Sequence, residues 1–376
     1  MVVLYHFHKV YKQIVLGTMF FCTSAFAGVL PLFNPESVVD NQNSLYFKSD
    51  ILLLNDSMSL HGLFSGFKGD LHHKSGKNVA LGDGRVDVGY MHKNFGYIGY
   101  TYREEIFMDA SEDAVSLVYL VTNKKDLPIG KKYQLELNIN AFKVQGITYA
   151  NKWKIYNHDG WKVSFGGGVE LLSAMEGQDG NVQGDAVARS QQNYDFYATS
   201  EYHYTHNYLY DLDVKKAHAY GYTTHLSLLL QKDKVKILLL ANDFIGKLYW
   251  KDFAYSDVHL SSANKYYNSQ GYVRYRPTLS GYEGYENYTQ TMLQKFRVMG
   301  EYKFSYRNSL VLGSDMIDKV YLPYIHYAHR FEKNFKIDFG YETRFQSVNI
   351  GFHYKGYALT VRSDDLFQPR TLGIGL

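Results

Sequence analysis

The chain has 376 residues, a formal charge of +3, a single cysteine, 36 tyrosines and only six prolines. A near-neutral charge provides no concentrated basic stripe for a nucleic-acid partner, and one cysteine excludes a disulfide-stapled scaffold. Beyond residue 27 no run of 18 apolar residues occurs, which excludes a helical membrane protein.

Residues 1–27 predict an export signal. Lys9 and Lys12 precede an apolar run over 14–21, and Ala25-Phe26-Ala27 is a small-x-small cleavage site, so we expect cleavage after Ala27. The apolar run is too short to span a membrane comfortably as a retained anchor. Cleavage would remove the only cysteine of the chain.

The next part of the chain gives a weaker pattern. Residues 28–44 show no strand signal, and 45–54 and 57–67 are plausible strands with poor alternation. Residues 114–121 are continuously apolar, which fits either a short helix or a strand. Their β-branched valines favour a strand.

From Tyr133 to Ala141 apolar and polar residues alternate without a fault, which predicts a β-strand with one side-chain set on each face. The same alternation recurs at 85–90, 98–105, 161–171, 194–208, 222–230, 296–306, 335–341, 348–354, 357–361 and 372–376. Few soluble domains sustain such a pattern over this length.

The connections between these stretches have two lengths. Short polar turns are predicted at 92–95, 157–160, 231–234, 305–308, 331–334 and 354–356. Longer segments are predicted at 175–191, 209–219, 252–294, 314–320 and 363–370. Short turns on one side and longer loops on the other are typical of barrels whose turns face the periplasm.

With the export signal, these features make the chain similar to Gram-negative outer-membrane β-barrel proteins. The likeness is to an architecture, not to one family, and covers 45–376. It implies an all-β fold, a transmembrane up-and-down antiparallel β-barrel of about 12–16 strands, with about 14 as the best estimate. Residues 28–44 would be a periplasmic lead-in or a segment tucked into the lumen.

The resemblance also implies surroundings and partners. We expect the barrel in the cell outer membrane, in contact with outer-membrane lipid and lipopolysaccharide and inserted by the barrel assembly machinery. No cofactor is expected. Tyr133, Leu135, Leu137 and Ile139 should then face lipid, and the polar residues between them should face the lumen.

A barrel of this size implies a pore or transporter for polar solutes, or part of an export system. The predicted lumen-lining residues carry both signs of charge, so no ion preference follows. They are Arg103, Glu105, Glu136, Lys162, Glu201, His203, Arg297, Glu301, Lys303, Asp338 and Arg362. These side chains either screen solutes at a constriction or pair across the lumen and brace the wall.

The segment 252–294 is predicted to be a long extracellular loop in which tyrosine and arginine alternate with glycine. Aromatic faces beside arginine can stack on sugars or hold anions, so a glycan or small polar solute is a possible ligand. The candidate contacts are Tyr272, Arg274, Tyr275, Arg276, Tyr282 and Tyr285. The alternative is that these residues extend strands and form an aromatic girdle.

Two other classes of function remain open, a lipid-modifying enzyme and a structural or adhesive surface barrel. His225-Leu226-Ser227 is similar to the His-x-Ser arrangement of outer-membrane phospholipases, which place the pair facing lipid. The predicted register turns both side chains toward the lumen, so no catalytic residue is assigned. No metal-ligand spacing such as HExxH appears either. A soluble β-sandwich is the alternative fold.

Overall fold

The fold was established from a computed structural model. It describes residues 28–38, 43–72, 74–206, 214–262, 265–267, 270, 273–275, 278–332 and 334–376. The predicted export signal, 1–27, lies outside the described residues and stays a prediction.

The described residues form three short helices and nineteen strands. The helices are α1 (Pro35–Val38), α2 (Leu60–Phe64) and α3 (Glu112–Thr122). The strands are β1 (Ser44–Asn55), β2 (Lys77–His92), β3 (Gly96–Ser111), β4 (Lys132–His158), β5 (Trp161–Ser190), β6 (Asn193–Tyr204), β7 (His218–Lys232), β8 (Val235–Asn242), β9 (Lys247–Ser261), β10 (Lys265–Tyr267), β11 (Val273–Tyr275), β12 (Leu279–Thr291), β13 (Lys295–Lys303), β14 (Asn308–Ile317), β15 (Val320–Glu332), β16 (Phe335–Glu342), β17 (Ser347–Tyr354), β18 (Tyr357–Ser363) and β19 (Thr371–Gly375). None of the helices in this part of the chain is long and apolar enough to cross a membrane.

Seventeen strands form one antiparallel sheet, and β10 and β11 form a separate hairpin. The large sheet closes because β1 pairs with β2 on one side and with β19 on the other. Alternating side chains and scarce proline permit this, since every strand then presents one face inward and one outward. The predicted all-β, closed antiparallel barrel is confirmed.

In three places, two consecutive strands lie end to end and together span the wall once: β6 with β7, β8 with β9, and β12 with β13. β5 pairs with β7 over its first half and with β6 over its second half. In the same way β7 pairs with both β8 and β9, and these two pair with β13 and β12 respectively. The number of times that the chain crosses the barrel wall is therefore lower than the number of strands, and it lies within the predicted range of about 12–16.

Two stretches predicted as strands are helical. Helix α3 replaces the strand predicted over 114–121, and α2 lies within 57–67. Ser111 caps α3 by accepting the N–H of Ala114, and the first turn contains Glu112 and Asp113, which favour a helix N-terminus. The strand prediction for 114–121 was wrong because it weighed β-branched side chains above this capping signal.

Several predicted loops are shorter than the sequence indicated. Residues 175–190 continue β5, which turns into β6 at 191–192. The segment 252–294 contains the end of β9, the short hairpin of β10 and β11 and the whole of β12. Period-two alternation is weak in both stretches, so the local pattern did not reveal them as strands.

The wall is polar inside and apolar outside. Glu170 on β5 is fully buried, whereas the next residue, Leu171, is 65% exposed. Other exposed apolar side chains on the outer face include Ile98, Ile147, Val298, Leu312, Tyr321, Phe339 and Phe352. A continuous apolar outer band is unfavourable in water and favourable in hydrocarbon, so the wall has the polarity of a membrane barrel.

Tyr133 departs from the predicted outward orientation toward lipid. It is fully buried and packs with Leu117, Leu127, Ala186 and Ala188. Helix α3 and the segment after it cover this end of β4. The first residues of β4 therefore pack against other parts of the same chain and do not belong to the lipid-facing band.

Candidate functional site: the occluded lumen

A network of buried ion pairs crosses the lumen. Arg103 on β3 donates to Glu170 on β5 at 3.2 Å and, with two nitrogens, to Asp243 at 2.8 and 2.6 Å. Asp243 lies at the break between β8 and β9. Because these strands are not neighbours in the sheet, Arg103 ties distant parts of the wall together.

Two more cations complete the network. Lys295 on β13 lies 3.0 Å from Asp83 and also bonds Glu105. Arg85 on β2 bonds Asp87 at 2.7 and 2.9 Å and also bonds Glu170. Each charge is paired, as buried charges require. At this height the side chains close the lumen instead of leaving a constriction.

His225 and Ser227 face this network. Both are buried, and the ring nitrogen of His225 lies 3.0 Å from Glu170. Their inward orientation agrees with the predicted register. The pair does not face lipid, the position that the phospholipase resemblance requires.

Residues 28–38, named here the lumen segment, run inside the barrel. Asp315 accepts the N–H groups of Val29 and Leu30 at 2.6 and 2.7 Å. Arg297 bonds Asp315 through two nitrogens and donates to the Leu30 carbonyl at 2.7 Å. Of the two placements predicted for 28–44, these residues occupy the lumen.

Three more wall residues hold the same segment by its backbone. Lys48 donates to the carbonyl of Leu32 at 2.9 Å, and Arg362 donates to that of Gly28 at 2.8 Å. The side-chain amide of Asn242 both accepts from the N–H of Phe33 and donates to its carbonyl, at 2.7 and 2.8 Å.

The apolar side chains of the lumen segment fill the space that remains. Val29, Leu30 and Leu32 belong to one apolar cluster with side chains from seven strands of the wall. The contacting wall residues include Leu52, Leu54, Val79, Leu81, Leu238, Leu240, Met299, Val311, Leu322 and Tyr324. Phe33 packs against Tyr97 and His225, with the Arg85 guanidinium 5.0 Å from its ring centre. The lumen is therefore occupied from the segment up to the ion-pair network.

The two ends of the lumen differ in charge. The end near α3 has a cavity of about 430 Å³ with an excess of carboxylates. Its polar lining comprises Lys77, Asp109, Asn138, Asn140, Asp179, Asn181, Glu201, His203, Tyr288 and Asp318. The end with the short turns has a cavity of about 280 Å³ that contains Lys152, Lys154 and Lys162 beside Glu36. The positive and negative residues that the sequence predicted in the lumen are thus concentrated at opposite ends of the barrel.

The predicted lumen-lining residues do not form one site but occupy seven places. Arg103 and Glu105 belong to the network, and Arg297 and Arg362 hold the lumen segment. Glu201 and His203 line the acidic cavity, where the imidazole stacks 3.8 Å from the Tyr288 ring. The other five lie apart from these. Lys162 lies in the basic cavity, and Glu301 and Lys303 lie near Lys236 and Lys336. Glu136 lies at the rim beside Gln134, and Asp338 lies between His326 and His353.

The candidate contacts in 252–294 do not converge on one site within the described residues. Tyr272 and Arg276 lie outside them, and of Arg274 and Tyr275 only the backbone of β11 is described. Tyr282 donates to Asp257 at 2.9 Å, and Tyr285 accepts the N–H of Lys215 at 3.1 Å. Both tyrosines are exposed on β12.

The sequence reading missed Asp83, Asn242, Asp243, Lys295 and Asp315. The adjacent pair Asn242-Asp243 had a usable signal in the sequence, because two polar residues interrupt an apolar strand pattern. In the structure Asp243 has a φ of 53°, at the point where β8 ends. Asp315 was hidden inside a predicted loop, 314–320, most of which belongs to β14.

No protein-family model and no curated protein matches the chain. Among solved structures, one match is the CymD monoaromatic hydrocarbon channel, at 7% sequence identity and a TM-score of 0.22. The match covers 91% of this chain and 90% of that chain. At that score the likeness adds nothing to what the strand pairing shows.

Proposed function

We propose that the barrel is a gated pore or transporter for polar solutes in the outer membrane of a Gram-negative cell, closed in this conformation by the lumen segment. The observation that supports this is the way the wall holds the segment. Side chains of the wall bond its backbone, while the wall strands are held by their own pairing.

Such a segment can leave without unfolding the barrel. A single intramolecular hydrogen bond contributes about 0.5–1.5 kcal/mol net, because water replaces the lost partner. After departure, Asp315 and Arg297 still pair with each other and face water in a passage. The lumen segment is therefore a plug whose removal breaks no strand pairing of the wall; it exposes to water the apolar wall residues that cluster with Val29, Leu30 and Leu32.

The ion-pair network is a second closure in series with the plug. Its members are individually buried but include only side chains, so rotation of Arg103 or Lys295 opens space without moving a strand. Two closures in series favour a passage that opens on demand over a permanently open pore. The exposed apolar band would contact lipid and lipopolysaccharide, and the assembly machinery would insert it.

A disulfide that locks the lumen segment tests the proposal. A Cβ added at Gly166 would lie 2.8 Å from the Cβ of Pro35, which is shorter than the roughly 3.5–4.5 Å that a disulfide spans, so the segment must move away from the wall by about 1 Å for the bond to form. The Ser227 hydroxyl also approaches this position, so the variant combines Pro35→Cys, Gly166→Cys and Ser227→Ala. The predicted mature chain has no other cysteine.

Current through planar bilayers containing this variant is recorded before and after reduction. We expect almost no channel openings when the variant is oxidised. When it is reduced, discrete openings should be at least tenfold more frequent. The matched control with Pro35→Cys and Ser227→Ala but native Gly166 should not respond to reductant. A reduced variant that migrates as a folded, heat-modifiable barrel and never opens would contradict the pore.

A further inference from the structure

Five wall residues that hold the lumen segment, Lys48, Asn242, Arg297, Asp315 and Arg362, are named here the backbone cradle. We propose that the cradle is a binding site for extended peptides, and that the lumen segment is its resident competitor. This inference rests on the proposed function, because a peptide can enter only when the segment leaves.

The cradle matches the alternating polarity of a peptide chain. Its carboxylate, Asp315, accepts two successive N–H groups, and its cations donate to carbonyls of the same stretch. Asn242 satisfies both the N–H and the carbonyl of one residue. Within the described residues, every hydrogen bond from the cradle to the segment ends on backbone, so the cradle recognises peptide groups and not a particular side chain.

Specificity comes from the apolar positions beside the cradle. Leu30 and Leu32 pack into the apolar inner wall, whereas Phe33 has its own surroundings beside Tyr46 and Tyr97. A Cβ added at Gly168 would lie 3.2 Å from the Phe33 ring, so this glycine makes room for an aromatic side chain. The expected ligand is an extended peptide with apolar residues followed by an aromatic one.

A sugar or a simple anion fits the cradle less well than a peptide does. Neither offers two in-line N–H donors to Asp315 together with carbonyl acceptors for Arg297 and Lys48 at successive positions. The ligand class therefore follows from the order of donors and acceptors along the wall.

The test uses the full mature chain with the disulfide lock described above and the additional change Phe33→Ala, which weakens the resident segment. The probe is a fluorescent synthetic peptide with the sequence of residues 28–38, and binding is measured by anisotropy in detergent micelles. We expect saturable binding to the reduced protein and at least tenfold weaker binding to the oxidised protein, in which the disulfide fixes Pro35, two residues from Phe33, and so keeps the resident segment beside the cradle.

The matched control is the same peptide N-methylated at the positions of Val29 and Leu30, which removes both donors to Asp315 and keeps every side chain. It should bind at least tenfold more weakly. Equal binding of the two peptides, or equal binding to oxidised and reduced protein, would overturn the cradle. A reduced channel that opens but binds no peptide refutes only this inference, whereas peptide binding without any opening supports it and refutes the pore.

Discussion

The inner and outer faces of the barrel wall follow opposite rules. Glu170 is fully buried between Arg85 and Arg103, whereas its neighbour Leu171 is largely exposed. A single exposed leucine is ordinary in a soluble protein, but a continuous exposed apolar band outside a row of buried, paired charges is not. The difference teaches that the wall is built for hydrocarbon outside and for paired charges inside, with the lumen segment filling the space between them.

The largest effect is expected inside. Glu170→Leu removes the carboxylate that Arg85 and Arg103 share; because Arg85 keeps Asp87 and Arg103 keeps Asp243, we expect a cost at the lower end of that for a broken buried ion pair, about 3 kcal/mol. The free energy of unfolding, measured by urea titration in lipid vesicles, should fall by that amount. The control Leu171→Ala, one residue away on the outer face, should cost less than half as much; equal losses would erase the distinction between the faces.

An outer-face charge should have the next largest effect. Leu312 lies in the middle of β14 and is 55% exposed. If its surroundings are hydrocarbon, Leu312→Arg costs about 2–4 kcal/mol, whereas in water it would be almost neutral. The same vesicle titration applies, with Leu312→Met as the control; an arginine tolerated as well as methionine would mean that this face is not in lipid.

The cap of helix α3 should matter less. Ser111→Ala removes the side-chain acceptor for the Ala114 N–H, which costs about 1 kcal/mol. Because α3 lies at the rim, its local melting should change while the wall stays intact. Amide hydrogen exchange should therefore quicken in 112–122 and not in β14; uniform quickening in both would contradict this independence of rim and wall.

The smallest effect is a gain at a turn. Lys355 and Gly356 both have positive φ, 48° and 89°, which is the geometry of a two-residue type I′ turn. Lys355→Asn places a residue that tolerates this region and should stabilise the barrel by about 0.5 kcal/mol. The midpoint of thermal unfolding should rise slightly, and a decrease would show that the turn conformation is different.

The sequence predicted the faces of the strands but not their partners. Alternation is local, so it predicted which side chains share a face; the structure has Arg103, Glu105 and Arg297 buried. Alternation could not show that Arg103 meets Asp243, because that contact joins residues 140 positions apart through the closure of the sheet. Alternation of period two also gives no information on the position of a residue along the barrel axis. The sequence therefore could not predict that acidic and basic residues lie at opposite ends.

The partners of the lumen segment could not be predicted from the sequence either. Residues 28–38 lack any strand pattern, so the sequence offered only two possible placements for them. Their hydrogen bonds go to Asn242 and Asp315, which lie more than 200 residues away. Neither composition nor spacing could identify these partners.

The orientation of the wall can be tested most directly by quenching of tryptophan fluorescence with brominated lipids. One chain carries Leu312→Trp with the three native tryptophans changed to Phe, and a second retains only Trp250, which is buried inside. We expect strong quenching at position 312 and little at Trp250. Equal quenching at the two positions, or none at 312, would contradict a barrel with lipid outside and a closed lumen within.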